Sequence, residues 1–219
     1  MEKHGAPKTH GLVIDWAARY DVLAWLLTKG REGRLRERML SLAGLAPGNQ
    51  VLDVGCGTGT LAIAGARQVG ISGLVHGIDA SPSMIERARR KAAKAGVAVD
   101  FDVAVAETLP FPDHRFDVVL STLMLHHLPR KTRQQCAIEM ARVLKIGGRV
   151  LAVDFGRGNR HGLMAHFHRH GHVDIKDIVA LLEDVGLTVV ESGAVGMNNL
   201  HFALAENSKN MPLSDRRGA

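Results

Sequence analysis

The chain has 219 residues, 46% hydrophobic and 23% charged, a composition that supports one globular domain with a sizeable core and excludes disordered or collagen-like classes. Aromatic residues make up only 4%, so the core is expected to be built mainly from Ala, Val, Leu and Ile. The formal net charge of +6 leaves an anionic partner open, but the basic residues are scattered in the manner of solvated helix faces.

In chain order, the opening MEKHGAPKTHGL has no apolar run of the signal-peptide kind, and no membrane-spanning apolar stretch follows, so a cytoplasmic protein without an integral membrane segment is expected. Residues 1–47 read as an N-terminal helical segment containing Tyr20 and Asp21, closed by the turn-forming Ala46-Pro47-Gly48-Asn49. From there to residue 206, strand-like runs near 50–55, 74–79, 98–103, 116–121 and 148–154 alternate with helix-length amphipathic segments, the pattern of a parallel sheet covered on both faces. Ser81 is placed to cap a helix with Pro82 at its first position, apolar residues at 84, 85, 88, 92 and 95, and Gly96 as its stop. Cys136, Ala137, Met140, Val143 and Leu144 share one helical face before Gly147 and Gly148. A helix from about Asp174 to Val185 precedes LTVVESG and LHFALAE, two runs too close together for a helical crossover, so they should pair antiparallel. Residues 207–219 read as a flexible tail.

The chemistry gathers where strands end. VLDVGCGTG (51–59) puts three glycines at the start of a helix, where unpaired N–H groups make a site for a polar or anionic ligand. Dinucleotide-binding loops have G-x-G-x-x-G, whereas Gly55, Gly57 and Gly59 are spaced by two and Thr60 follows, which opposes a nicotinamide-dependent oxidoreductase. Asp53, two residues before the first glycine, suits an ammonium and repels a pyrophosphate. Asp79, at the end of the second strand, is placed to accept both hydroxyls of a ribose. Helix capping is the structural alternative for both acids.

A ribose joined to a cationic amino acid would satisfy both, and S-adenosyl-L-methionine is such a molecule. With GIDAS (77–81), AETLPFPDHRFDVVLS (106–121), LHHLP (125–129) and RVLKIGGRV (142–150), the chain resembles the class I methyltransferases that use this cofactor, over about residues 15–206. ARYDVL (18–23) adds a resemblance to the ubiquinone and menaquinone biosynthesis group. The resemblance implies an α/β fold: a Rossmann-like, doubly wound, mostly parallel seven-stranded sheet with an antiparallel last strand. It also implies that Asp53, Gly55, Cys56, Gly57 and Gly59 hold the methionine end and that Asp79 and Ala80 hold the ribose. Met84 or Ile78 would then flank the adenine, Ala106, Glu107 and Ser121 would complete the cofactor pocket, and Tyr20 would lie over its entrance. Many relatives carry an acid or amide just before the Ala-Glu pair; here that position is Val105, with Asp102 out of register.

The expected function is direct displacement of a methyl group onto a small, partly apolar acceptor: a quinone precursor, a phenol, a lipid amine or another metabolite. His126 and His127 follow the fourth strand and are the candidate bases, with backbone-bonded structural histidines as the alternative. Between residues 155 and 174, His161, His166, His168, His170 and His172 allow a substrate lid, a metal-binding tract or a solvated loop, and no paired cysteines or carboxylate cluster complete a metal site. STLMLHHLP lacks the amide-Pro-Pro-aromatic motif of base-modifying enzymes, so nucleic acid is disfavoured as acceptor. A cofactor-binding sensor that transfers no methyl is the rival of another class, and the oligomeric state is open between monomer and homodimer.

Overall fold

In a computed structural model of the chain, residue 11 and residues 32–156, 173–196 and 199–208 are described. The elements are α1 (Glu32–Ala43), β1 (Gln50–Val54), α2 (Thr60–Val69), β2 (Leu74–Asp79), α3 (Pro82–Ala95), β3 (Asp100–Val103), β4 (Phe116–Thr122), a 3-10 turn at Leu125–His127, α4 (Arg130–Val143), β5 (Leu144–Phe155), α5 (Ile175–Asp184), β6 (Thr188–Ala194) and β7 (Leu200–Glu206). They build one seven-stranded sheet in the order β3-β2-β1-β4-β5-β7-β6. The first five strands are parallel, and β7 runs antiparallel between β5 and β6.

Alternation along each strand feeds two cores. Leu52, Val54, Ile78, Phe116 and Val119 face Met140 of α4 and Ile178 and Leu182 of α5. Val51, Val75, Leu120 and Leu151 face Leu35 and Met39 of α1, Leu61 and Ile63 of α2, and Ile85 of α3. Strands buried on both faces need apolar residues at nearly every position, so Asp53, Ser121 and Asp154, all at strand ends and at most 1% exposed, stand out as polar exceptions.

The predicted third helix forms as read, with the Ser81 side chain accepting from the Met84 N–H and Gly96 in the left-handed region at φ 67°. The following crossover differs. α4 stops at Val143, and Leu144, expected on its buried face, opens β5 opposite Phe116. Leu144 is fully buried in the same core as Met140, so helix or strand geometry satisfies its side chain equally; the register shift between Phe116 and Val118 takes up the Lys145–Gly148 excursion. At the other end, Asn207 is buried, and its backbone exchanges hydrogen bonds with Gly147 and Gly148 at 2.9 and 3.0 Å. Asn207, the first residue of the expected tail, is thus packed on the sheet. Within the N-terminal segment the described helix α1 packs on α2 and β5. Tyr20, Asp21, the histidine tract from His161 to His172 and residues 209–219 lie outside the described residues.

Candidate functional site

The strand order reverses between β1 and β4, and at such a switch point the loops leaving the carboxyl ends of adjacent strands diverge and leave a crevice. The glycine loop after β1 is held from one side by β2: the N–H groups of Gly55 and Cys56 both donate to the Ile78 carbonyl at 2.9 Å. Gly55 and Gly59 have φ of 73° and 75°, a region costly for other residues, and both are sterically closed as well. A Cβ on Gly55 would lie 2.9 Å from Met124 Cβ, and one on Gly59 would lie 2.6 Å from Phe101 Cζ. Glycine is therefore required twice over at each position.

Asp79 connects this loop to the next helix. One carboxylate oxygen accepts from the Gly57 N–H at 3.0 Å and the other from the Ser81 N–H at 2.9 Å, which fixes the carboxylate plane at the crevice edge. Ala80, beside it, is partly exposed. Asp53 contrasts with Asp79. It is 1% exposed, and among the described residues neither carboxylate oxygen has a hydrogen-bond partner. Burial, followed by repulsion from Asp79, pushes its carboxyl up to about 7, against a small opposing pull from the Ala62 backbone that does not amount to a hydrogen bond. A pair of acceptors with no donor is what a buried cation would satisfy. The same burial, then Asp53 and Asp79, push the Cys56 thiol well up, so it stays protonated and non-nucleophilic.

The remaining predicted contacts distribute unevenly. Met84 is buried under the first turn of α3, while Ile78 is taken up by the core against Val54 and Leu109. Ala106 and Glu107 are partly buried in the loop after β3. Val105 is 9% exposed, and Asp102 faces solvent with Arg89 at 3.6 Å. Ser121, at the end of β4 beside Val54, is fully buried, and its Oγ has no partner among the described residues.

Across the crevice, His126 and His127 sit on the turn after β4 with ring centroids 3.8 Å apart. They are not equivalent. His126 Nδ1 lies 2.7 Å from Asp154 Oδ1, its N–H donates to Asp154 Oδ2 at 3.0 Å, and the Phe155 ring packs edge-on against it at 5.4 Å. Because a carboxylate only accepts, Nδ1 carries the hydrogen, so in the neutral ring the lone pair is on Nε2. His127 has its pKa lowered to about 4, by burial first and then by His126, so it is neutral at pH 7 and a weak base. Asp154 was missed in the sequence, although LAVDF is an acid at a strand end of the same kind as Asp53 and Asp79; that parity was the available signal.

Also unread in the sequence was a clamp from α4 onto the loop after β3. Glu139 Oε2 accepts the Leu109 N–H at 2.7 Å, and Arg142 donates to the carbonyls of Leu109 and Phe111 at 3.0 and 2.7 Å. These partners are about thirty residues apart in sequence, beyond any local pattern.

Residues 51–148 match the family described as "Methyltransferase domain". The chain is 34% identical over 156 residues to the ubiquinone/menaquinone biosynthesis C-methyltransferase UbiE of Cupriavidus taiwanensis, covering 71% of this chain and 63% of that protein. It is 39% identical over 158 residues to UbiE of Azotobacter vinelandii, covering 71% and 62%. The chain thus spans less than two thirds of the length of these curated relatives. In fold it is similar to a SAM dependent methyltransferase from Aquifex aeolicus, with a TM-score of 0.73 and 24% identity over 86% of this chain and 97% of that one.

Proposed function

The chain belongs to the class I S-adenosylmethionine-dependent methyltransferases of the UbiE-like group, and from that premise we propose that it transfers a methyl group from S-adenosyl-L-methionine to a ring position of a small, partly apolar phenolic or quinol-like acceptor. The observation that carries this reading is Asp53, a buried carboxylate that no donor among the described residues reaches, beside a glycine loop and one strand away from Asp79. The residues present fit the cofactor: Asp53 takes its ammonium, the loop through Gly55, Cys56, Gly57 and Gly59 lies along its methionine end, and Asp79 with Ala80 takes the ribose. Met84, Ala106, Glu107 and Ser121 surround the remainder.

When bound, the cofactor supplies a sulfonium methyl group that is electrophilic without help from metal or covalent catalysis. What the chain adds is alignment, exclusion of water and a place for the acceptor's proton. His126 Nε2 receives that proton. Asp154 holds the ring in the tautomer that makes Nε2 basic, and its charge then faces the imidazolium at 2.7 Å. His127, weakly basic, packs against that ring and shields it. Met124 beside Gly55 and Phe155 against His126 are apolar neighbours of the site, in keeping with a ring rather than a charged acceptor, and the two UbiE relatives point to the same class.

Calorimetric titration tests the reading. S-Adenosylhomocysteine is expected to bind and NADH is not, and Asp53→Asn should weaken the former about tenfold or more, the worth of one buried charge-assisted contact. Turnover should follow with a hydroquinone bearing an unsubstituted ring carbon. Binding of NADH in place of S-adenosylhomocysteine would overturn the assignment.

A further inference from the structure

The loop that carries Ala106 and Glu107 touches the cofactor site at its middle, and both its ends are tied down. At its start the Ala104 N–H donates to the Asp79 carbonyl at 3.1 Å, so the loop leaves directly from the residue assigned to the ribose. A turn follows, with the Thr108 N–H on the Val105 carbonyl at 3.3 Å. At its far end Leu109 is gripped on both backbone groups, its N–H by Glu139 and its carbonyl by Arg142. Arg142 also donates to Glu139 through two nitrogens at 2.8 Å each, to the Phe111 carbonyl at 2.7 Å and to Asp113 at 2.7 Å. Glu139 is only 8% exposed, and its bond to Arg142 holds its carboxyl below the usual carboxylate range, so the pair stays charged.

A four-residue span between two fixed points has few conformations, whereas releasing one end returns it to the many states of an open loop. Resting on the function proposed above, we infer that Glu139 and Arg142 are positioning residues for the nucleobase end of the cofactor site. They touch no part of the cofactor themselves; they act through the Leu109 backbone and hold residues 105–107 at the distance that adenine requires. Neither their identity nor their place on the back of α4 marks them as site residues.

The test separates the two ends of the cofactor by using two ligands, S-adenosylhomocysteine and 5′-methylthioadenosine, which shares the nucleoside but has no amino acid. Arg142→Gln is expected to weaken both by the same factor, about tenfold, while Arg142→Lys, which keeps the charge, recovers part of the loss. Glu139→Gln, which keeps an oxygen for the Leu109 N–H, is the second variant should Arg142→Gln fail to fold, and its loss should likewise be equal for the two ligands. With cofactor saturating, kcat should hold within about twofold of the parent while the cofactor KM rises, a split that general destabilisation would not give. Folded variants with the parent's affinity for both ligands would overturn the inference, as would a loss confined to S-adenosylhomocysteine. Failure of the parent chain to bind S-adenosylhomocysteine at all is a separate result; it removes the function proposed above, and this inference with it.

Discussion

Asp154 is the side chain on which the division of labour between two neighbouring histidines depends. It accepts three hydrogen bonds, from the backbone and Nδ1 of His126 and from the Phe155 N–H at 2.8 Å, so its own position is set by the main chain rather than by the ring it serves. Replacing it with Asn keeps the shape, but an amide can turn its NH2 toward Nδ1 and so favour the tautomer with hydrogen on Nε2, the wrong one for accepting a proton. Asp154→Asn is therefore expected to lower kcat by roughly a hundredfold, the usual scale of a lost general base, with the cofactor KM within about twofold of the parent. His126→Gln should fall equally far, and the double variant no further, because the two residues act as one unit. His127→Gln should retain most of the activity. Rates for these four proteins under single-turnover conditions check the assignment, and equal losses at His126 and His127 would refute it.

At the scale of elements, the junction of the glycine loop with α2 is held by a steric lock. Gly59 stands at the helix N-terminus in the left-handed region, and Phe101 of β3 and Ala88 of α3 occupy the space a side chain would need, the Ala88 Cβ lying 2.9 Å from the position of the missing atom. Gly59→Ala combines an unfavourable φ with a collision in a packed core, so a loss of about 2–4 kcal/mol in urea unfolding is expected, together with weaker S-adenosylhomocysteine binding. Gly96→Ala is the control: its φ is similarly positive at 67°, but open space surrounds it, so only the backbone term of about 1 kcal/mol should appear and ligand affinity should not change. These elements also show what the sequence carries legibly. Ser81, Pro82 and Gly96 bracket α3 by local rules, and Asp53, Asp79 and the glycines mark a strand-to-helix loop because each signal lies within a few residues. Leu144 was ambiguous because a buried leucine suits a helix face or a strand equally, and the choice was made by its pairing with Phe116, twenty-eight residues away. Glu139 and Arg142 look like an ordinary solvated i,i+3 pair on a helix until the fold brings Leu109 beneath them.

For the molecule as a whole, two ionisable groups, the buried Asp53 and the partly buried His127, oppose each other in their effect on stability. Asp53 has a folded-state pKa raised from 3.8 to about 7, so its cost to the fold is fully present above pH 7 and disappears below its unfolded value. His127 has its value lowered from 6.5 to about 4, so its cost is absent above pH 6.5 and fully present below pH 4. At about 1.4 kcal/mol per pH unit, acidification from pH 7 to 4.5 returns about 3 kcal/mol at Asp53 and removes about 2–3 kcal/mol at His127. The parent's stability, measured by urea unfolding without ligand, should therefore vary by only about 1 kcal/mol from these two groups over that range. Each single substitution unmasks the other group. Asp53→Asn should be more stable than the parent at pH 7 and lose stability steadily toward pH 4.5, whereas His127→Gln should gain stability over the same interval. The stability gained by Asp53→Asn at neutral pH should appear in the very variant that, on the function proposed above, binds S-adenosylhomocysteine poorly. Parallel pH profiles for the parent and both variants would mean that neither group is held in the protonation state its surroundings impose.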